Sequence, residues 1–157
     1  MLSIMLLEMT EDLRRIFRES PNKLGEKLEL SVPDGWPEFP DALTSPHIPG
    51  WPIFLFLDHD KKAILGSGGF LSAPDHKSEV QVGYEVAPAY RGQGIATAAM
   101  KTVLSTRSDA CPIAVTSVES GPSVSVLRNL NFSGIGTHNL PNGTKVWMWA
   151  RLQGTAG

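Results

Sequence analysis

The chain predicts a mixed α/β layer fold, and three features of the sequence carry that expectation. Ile53–Leu57 (IFLFL) and Ala63–Leu71 (AILGSGGFL) are apolar runs separated by the turn-forming DHDKK, as in a β-hairpin. After residue 79, stretches of strand character alternate with stretches of helical period. Among the 157 residues, 41% are hydrophobic and 19% charged, enough to build one real core rather than a disordered tail. One domain spanning 1–157 is expected.

In chain order, residues 2–7 read as a strand. Thr10 then caps a short helix whose Leu13, Ile16 and Phe17 recur at helical spacing, and the helix stops near Pro21. Pro33, Pro37, Pro40, Pro46, Pro49 and Pro52, with Trp36, Phe39 and Trp51 between them, predict a short helical or looping cover. The hairpin follows, and EVQVGYEV makes a third strand that ends at Pro88, where a ladder N–H is missing. A helix comes next, with Ile95, Ala99 and Val103 repeating at four, as do Ala96, Met100 and Leu104. PIAVTSV at 112–118 is a further strand. A second helix starts near Ser120 or Pro122 and turns Val124, Val126, Leu127 and Leu130 inward. Two closing strands, around 132–138 and 144–152, flank a turn at Asn142 and Gly143.

Composition narrows the classes of function. With 14 Lys+Arg against 16 Asp+Glu the formal charge is −2, without the basic field of a nucleic-acid-binding domain. Cys111 is the lone cysteine, which rules out an intrachain disulfide and a CxxC motif and fits a reducing cytoplasm. It reads as a small buried hydrophobe, with no histidine partner to make it a nucleophile. His47, His59, His76 and His138 lack metal-ligand spacing, so no metal is expected. The apolar MLSIMLLEM has neither a basic lead-in nor a small-residue cleavage site, and no stretch approaches the roughly 20 apolar residues of a membrane span. Neither nucleic acid nor membrane is an expected partner.

The most informative stretch is VAPAYRGQGIA, Val86 to Ala96, which joins a strand to a helix. Unpaired N–H groups in a first helical turn, at the positive end of the helix dipole, suit phosphate oxygens. Gly92 and Gly94 let the backbone come close. A connector that binds nothing is the alternative. The missing GK[ST] excludes a P-loop, and GxGxxG is not matched.

These residues resemble a family. RGQGIA fits the R/Q-x-x-G-x-G/A signature of the GNAT superfamily of acyl-CoA-dependent N-acetyltransferases, and VGYEVAPAY resembles its fourth strand and bulge. SGPSVSVLRNLNF resembles the family's helix that begins N-x-x-S and ends G-F: Ser123 and Phe132 are kept, while Ser120 and Asn131 replace Asn and Gly. GWPIF, GSGGF and VGYEVAP look most like the branch that contains ribosomal-protein N-acetyltransferases. The resemblance covers residues 51–150, and the first fifty only by element order. It implies a three-layer fold with a mixed, mostly antiparallel sheet splayed between the fourth and fifth strands. The implied cosubstrate is acetyl-CoA. Backbone amides of Arg91, Gly92, Gln93, Gly94, Ile95, Ala96 and Thr97 would bind its pyrophosphate. Val86 and Ala87 would lie beside the pantetheine, a bulge there freeing an N–H for the thioester oxygen. Ser120 or Ser123 would sit near the thiol or pantetheine end, against the alternative of plain helix capping.

Acetyl transfer needs a neutral amine and then a proton for the departing sulfur. Many family members have a base Glu where this chain has Gln81, and an amide takes no proton at neutral pH, so Gln81 is limited to orienting the amine or a water. Glu79 and Glu85 share Gln81's face of an extended strand. Glu85 is the candidate for a base acting through water, or else a solvated carboxylate. The family's frequent tyrosine acid falls at Leu127, and neither Tyr84 nor Tyr90 is an evident replacement. A lysine-like amine costs about 4–5 kcal/mol to deprotonate at pH 7, an α-amine only about 1 kcal/mol, so a chain without the Glu favours a low-pKa amine. The expected acceptor is therefore a peptide N-terminus or an amino-acid-like small molecule. Its pocket should lie under the cover, with Trp36, Phe39 and Trp51 as walls and Glu38 or Asp41 as cation contacts, unless the aromatics merely staple the cover down. Two rival readings stand beside the enzyme: a CoA-binding regulatory module without turnover, and another nucleotide-binding α/β domain. A homodimer is left open.

Overall fold

The computed structural model describes residues 3–60, 62–117 and 122–151, with all their side chains except those of Ser117, Pro122 and Ser123. Seven strands form one sheet: β1 (Met5–Glu8), β2 (Ile53–Leu57), β3 (Ile64–Phe70), β4 (Glu79–Val86), β5 (Cys111–Ser117), β6 (Ser133–Asn139) and β7 (Lys145–Ala150), in the order β1-β2-β3-β4-β5-β7-β6. All neighbours pair antiparallel except β4 and β5, which are parallel. A parallel pair needs a crossover, and α4 (Ile95–Ser105) supplies it.

That pair is short. Glu79, Val80 and Gln81 face Cys111, Pro112 and Ile113, and no pairing continues beyond them. From there β4 stays with β3 while β5 runs on against β7 from Ile113 to Ser117, so the halves of the sheet diverge. The splay implied by the resemblance is present. The expected bulge is not: Val82 to Val86 pair with Phe70 to Gly66 without a register shift, and the Ala87 N–H bonds the Leu65 carbonyl at 2.9 Å. With the parallel partner gone, β4 frees its outward peptide groups without distorting its ladder.

Strand alternation sends side chains to two faces. Ile53, Leu55 and Leu57 join a core with Met9, Phe17, Leu24 and Leu43 from α1 (Glu11–Glu19), α2 (Pro21–Leu28), α3 (Asp41–Thr44) and their flanks. Phe56 turns the other way, into a core with Val80 and Val82 of β4, Met100 and Val103 of α4, and Leu127 of α5 (Pro122–Asn129). Helices on both faces of a sheet make three layers.

The local signals act as sequence chemistry predicts. The Thr10 hydroxyl accepts from the Leu13 N–H at 3.3 Å. Asn131 closes α5 at φ 68°, a left-handed conformation that asparagine tolerates, which explains how it replaces glycine there. One expectation needs correction. Pro21 does follow the end of α1, but it also opens α2, because proline suits a first helical position and Ser20 caps it through the Asn22 N–H at 3.1 Å. The cover is therefore more helical than its prolines suggest. Its tryptophans are staples: Trp36 packs edge-on to Phe17 and donates Nε1–H to Ser67 Oγ at 3.1 Å, and Trp51 lies edge-on to Phe70 under the Arg107 guanidinium. Phe39 is not a staple, being 64% exposed.

Candidate functional site

The splay opens a cavity of ≈ 620 Å³ between the end of β4, the start of α4 and one side of α5. Pro88–Tyr90 makes a 3-10 turn after β4, and Gly92 and Gly94 then take φ of 79° and 78°. A Cβ on either glycine would strain the backbone yet meet no protein atom within 4 Å, because both face the open cavity. Gly94 caps α4 without a side chain, and the first helical bond is Ala98 N–H to Gly94 C=O. The N–H groups of Ile95, Ala96 and Thr97 precede that bond, and all three residues line the cavity. The arrangement is a cradle for an anion, made almost entirely of main chain.

The cavity gathers Glu85, Val86, Arg91, Gly92, Gly94, Ile95, Ala96 and Thr97 from the residues singled out in the sequence. Gln93 and Ala87 are not on its wall, and Ala87 is buried. Gln81 is exposed in the paired stem of β4, where its carbonyl accepts from Leu71 N–H at 2.7 Å and its N–H donates to Ser72 Oγ at 3.3 Å. Ser120 lies outside the described residues, as does the Ser123 side chain. Ser125, Val126 and Asn129 of α5 complete the wall. Sequence reasoning missed this wall. The available signal was Ser125 and Asn129 four apart on the side of α5 away from its buried Val124, Leu127 and Leu130. Leu127, at the expected tyrosine position, is 1% exposed and belongs to the core.

Two charged side chains tie the cover to this cavity. Glu85 uses both carboxylate oxygens, accepting from Glu38 N–H at 2.7 Å and Phe39 N–H at 3.0 Å. Arg91 folds back, donating Nε–H to the Val86 carbonyl at 3.0 Å and approaching Glu38 Oε2 at 3.5 Å. Phe39 thereby becomes a wall of the first cavity and also of a second, ≈ 300 Å³, that lies under the cover. The second cavity is lined by Trp51, Phe70 and Leu71, with Asp41 and Arg14 as its charged members. Of the aromatics expected to wall an acceptor pocket, Phe39 and Trp51 line the second cavity, and Trp36 is buried away from both cavities.

Burial pushes the Arg14 guanidinium below its ordinary value, while Glu11 and Glu8 oppose the shift. The Cys111 thiol is pushed up, by burial first and then by Glu79 and Asp75, which disfavours the thiolate a nucleophile requires. Among the described residues no group of His, Cys, Asp and Glu is placed to hold a metal, and no helix is long and apolar enough to cross a membrane.

Known proteins share this architecture. The family model described as acetyltransferase (GNAT) family matches residues 8–122. RimL, a ribosomal-protein α-N-acetyltransferase in complex with coenzyme A, superposes with a TM-score of 0.68 at 18% identity, over 98% of this chain and 96% of its own. MccE, a microcin C7 self-immunity acetyltransferase in complex with acetyl-CoA and AMP, gives 0.65 at 15% identity, over 95% and 92%. A chain described as a GNAT-family acetyltransferase from Bordetella pertussis gives 0.55 at 22% identity, over 65% of this chain and 66% of its own, just under two thirds. No curated protein matches the chain in sequence.

Proposed function

The chain belongs to the acetyltransferase (GNAT) family, and on that premise we propose that it moves an acetyl group from acetyl-CoA directly to a primary amine of a small molecule or peptide N-terminus. The observation that carries the reading is the helix start at Gly94: two left-handed glycines and three leading N–H groups open onto the cavity where the sheet parts. The residues present fit the cosubstrate, because the space a Cβ would fill at Gly92 and Gly94 is the space a diphosphate needs. RimL and MccE, which share the fold, are known in complex with CoA and with acetyl-CoA.

When bound, acetyl-CoA supplies the activated thioester. The chain's own part is to hold and to shield. The N–H groups of Ile95, Ala96 and Thr97 bind phosphate oxygens, helped by the positive pole of α4. Val86 lies at the open edge of β4, where strand alternation turns its N–H away from β3 and towards the splay. There the N–H is a donor for negative charge building on a carbonyl oxygen. Glu85 spends both oxygens on the cover, so its proposed role is to fix the wall between the two cavities, with solvent taking the ammonium proton. A thiol with pKa near 8.5 leaves without a dedicated acid, which suits a chain whose Leu127 is buried in the core.

Thermal shift with acetyl-CoA, followed by thiol release against an amine panel, tests the proposal. Stabilisation by acetyl-CoA above ATP or NAD, together with thiol release, is the expected result. Stabilisation without release from any amine would favour the regulatory module, for which Leu127 in the core and Gln81 outside the cavity already speak.

A further inference from the structure

Arg14 is a long cation on α1, 2% exposed, and among the described residues it makes no salt bridge. Its Nε–H bonds the Met9 carbonyl at 3.0 Å, and Nη1 bonds the carbonyls of Ala42 at 3.3 Å and Ser45 at 2.8 Å. Those three bonds leave the two hydrogens of Nη2 without a partner among the described residues. Yet no wholly buried side-chain nitrogen or oxygen there lacks a hydrogen bond, so Nη2 is not sealed in the core. Arg14 lines the second cavity. A buried guanidinium with an unused donor edge is costly to keep unless an oxygen acceptor arrives.

The rest of the second cavity describes what carries that oxygen. Trp51, Phe70, Leu71 and Ile48 make an apolar pocket. Its ≈ 300 Å³ is at the small end of ligand sites, room for one bulky side chain. Phe39 is common to this cavity and the proposed cofactor cavity, so a molecule seated here adjoins that cavity.

We propose that the second cavity is the acceptor site for an α-aminoacyl group with a large apolar side chain. The carbonyl oxygen of that group takes its bond from Arg14 Nη2, and its side chain lies against Trp51 and Phe70. Its α-amine points past Phe39 towards the cofactor cavity. This deepens the acetyltransferase reading and rests on it. In the transfer, the neutral amine nitrogen bonds to the acetyl carbon, the carbon–sulfur bond of the thioester breaks with its electron pair going to sulfur, and the amine proton passes to solvent. A free amino acid and a peptide N-terminus present the same aminoacyl chemistry, and Asp41 at the cavity favours the source without a free carboxylate.

The test compares phenylalaninamide, phenylalanine and phenethylamine as acceptors, after acetyl-CoA affinity has been measured by calorimetry. Phenethylamine keeps the ring and the amine but lacks the carbonyl. With rates throughout taken per neutral amine, which removes the difference in amine pKa, kcat/KM of the unaltered protein for phenylalaninamide should exceed that for phenethylamine by about tenfold or more, the worth of one charge-assisted hydrogen bond. In Arg14→Lys that ratio should fall towards one, and because it compares two substrates on one variant, a general loss of folded protein does not move it. Ile48→Trp, which adds bulk to the cavity wall and leaves residue 14 an arginine, should remove phenylalaninamide binding, read directly by calorimetry, and leave acetyl-CoA affinity within about twofold. Phenylalanine equal to the amide would point to free amino acids, and slower turnover of phenylalanine to a peptide N-terminus; both support the site. Equal use of phenethylamine and phenylalaninamide by the unaltered protein overturns it, as does amide binding that survives Ile48→Trp. Bound acetyl-CoA with no thiol released by any amine overturns the acetyl-transfer reading instead, a result that calorimetry with the amide keeps distinct.

Discussion

The two cavities are neighbours built on opposite principles. The proposed cofactor cradle is main chain: its candidate donors are N–H groups, its shape comes from two left-handed glycines, and side chains contribute little beyond lining. The pocket under the cover is side chain throughout, and its position depends on bonds that reach across long stretches of sequence, from Glu85 to Phe39 and from Arg14 to Ser45. A main-chain site is fixed by local conformation and tolerates any residue that permits the φ values. A side-chain site is fixed by tertiary contact and changes its ligand when one residue changes. The first suits a group common to a whole family, and the second suits what one member alone must recognise.

The sharpest way to break that contrast is at the cradle. Gly94→Asp adds a Cβ at φ 78° and a carboxylate where the helix N–H groups collect. It should weaken acetyl-CoA binding at least about hundredfold by calorimetry, with circular dichroism unchanged. A folded variant of unchanged affinity would mean that the main chain at this turn is not the binding element.

The next effect separates acceptors. If no carboxylate serves as base, the amine must be neutral on arrival. Between an α-amine with pKa near 8 and an ε-amine with pKa near 10.4, ionisation alone then favours the α-amine by about two orders of magnitude at pH 7. Rates on a matched pair, lysinamide blocked at Nε against lysinamide blocked at Nα, should differ in that sense, and the gap should narrow as pH rises towards 10. Preference for the ε-amine at pH 7 would return a base to the site and make Glu85 its first candidate.

Glu85 itself gives a smaller and more diagnostic effect. Glu85→Gln keeps one acceptor oxygen but sets an amide N–H₂ against the second cover N–H. As a holding residue it should raise KM for the acceptor about tenfold and leave the pH profile of kcat where it was. Loss of a base would instead lower kcat by about 10²–10⁴ and abolish its acidic limb.

The same division explains what could be read from the chain. Strand and helix periods placed β2 to β5 and α4 closely, because apolar side chains must alternate or recur to reach the two cores. The turn of the proposed cradle was legible because Arg91-Gly92-Gln93-Gly94 is contiguous and its glycines admit the left-handed φ found there. Phe39 and Asp41 were only candidates among several in the cover, since nothing local says which aromatics turn inward: Trp36 finds Ser67, and Phe39 is turned outward by bonds from its backbone to Glu85. Arg14 left no trace as a site residue. An arginine on an amphipathic helix reads as a solvated face until the carbonyls of Met9, Ala42 and Ser45 are seen to draw it inside. α2 was hidden for a related reason, as Pro21 stops one helix and begins the next.

Asp58 provides the control that isolates what Glu85 does. It too accepts two consecutive backbone N–H groups, from Lys62 at 2.7 Å and Ala63 at 3.0 Å, and these distances match those at Glu85. It closes the turn of the β2–β3 hairpin and lines neither cavity. The Ala63 N–H, foremost among its bonds, holds its carboxyl below the usual aspartate value. A lowered carboxyl contributes stability that is complete above its unfolded value, near pH 4, and is lost as pH falls through the lower folded value. Asp58→Ala should therefore lower Tm by about 2–4 °C at pH 7, and the difference from the unaltered protein should close below pH 4. Acceptor KM should stay put. If KM instead rises as it does in Glu85→Gln, the effect of Glu85 is a general loosening of the folded state, and its two bonds say nothing specific about the wall between the cavities.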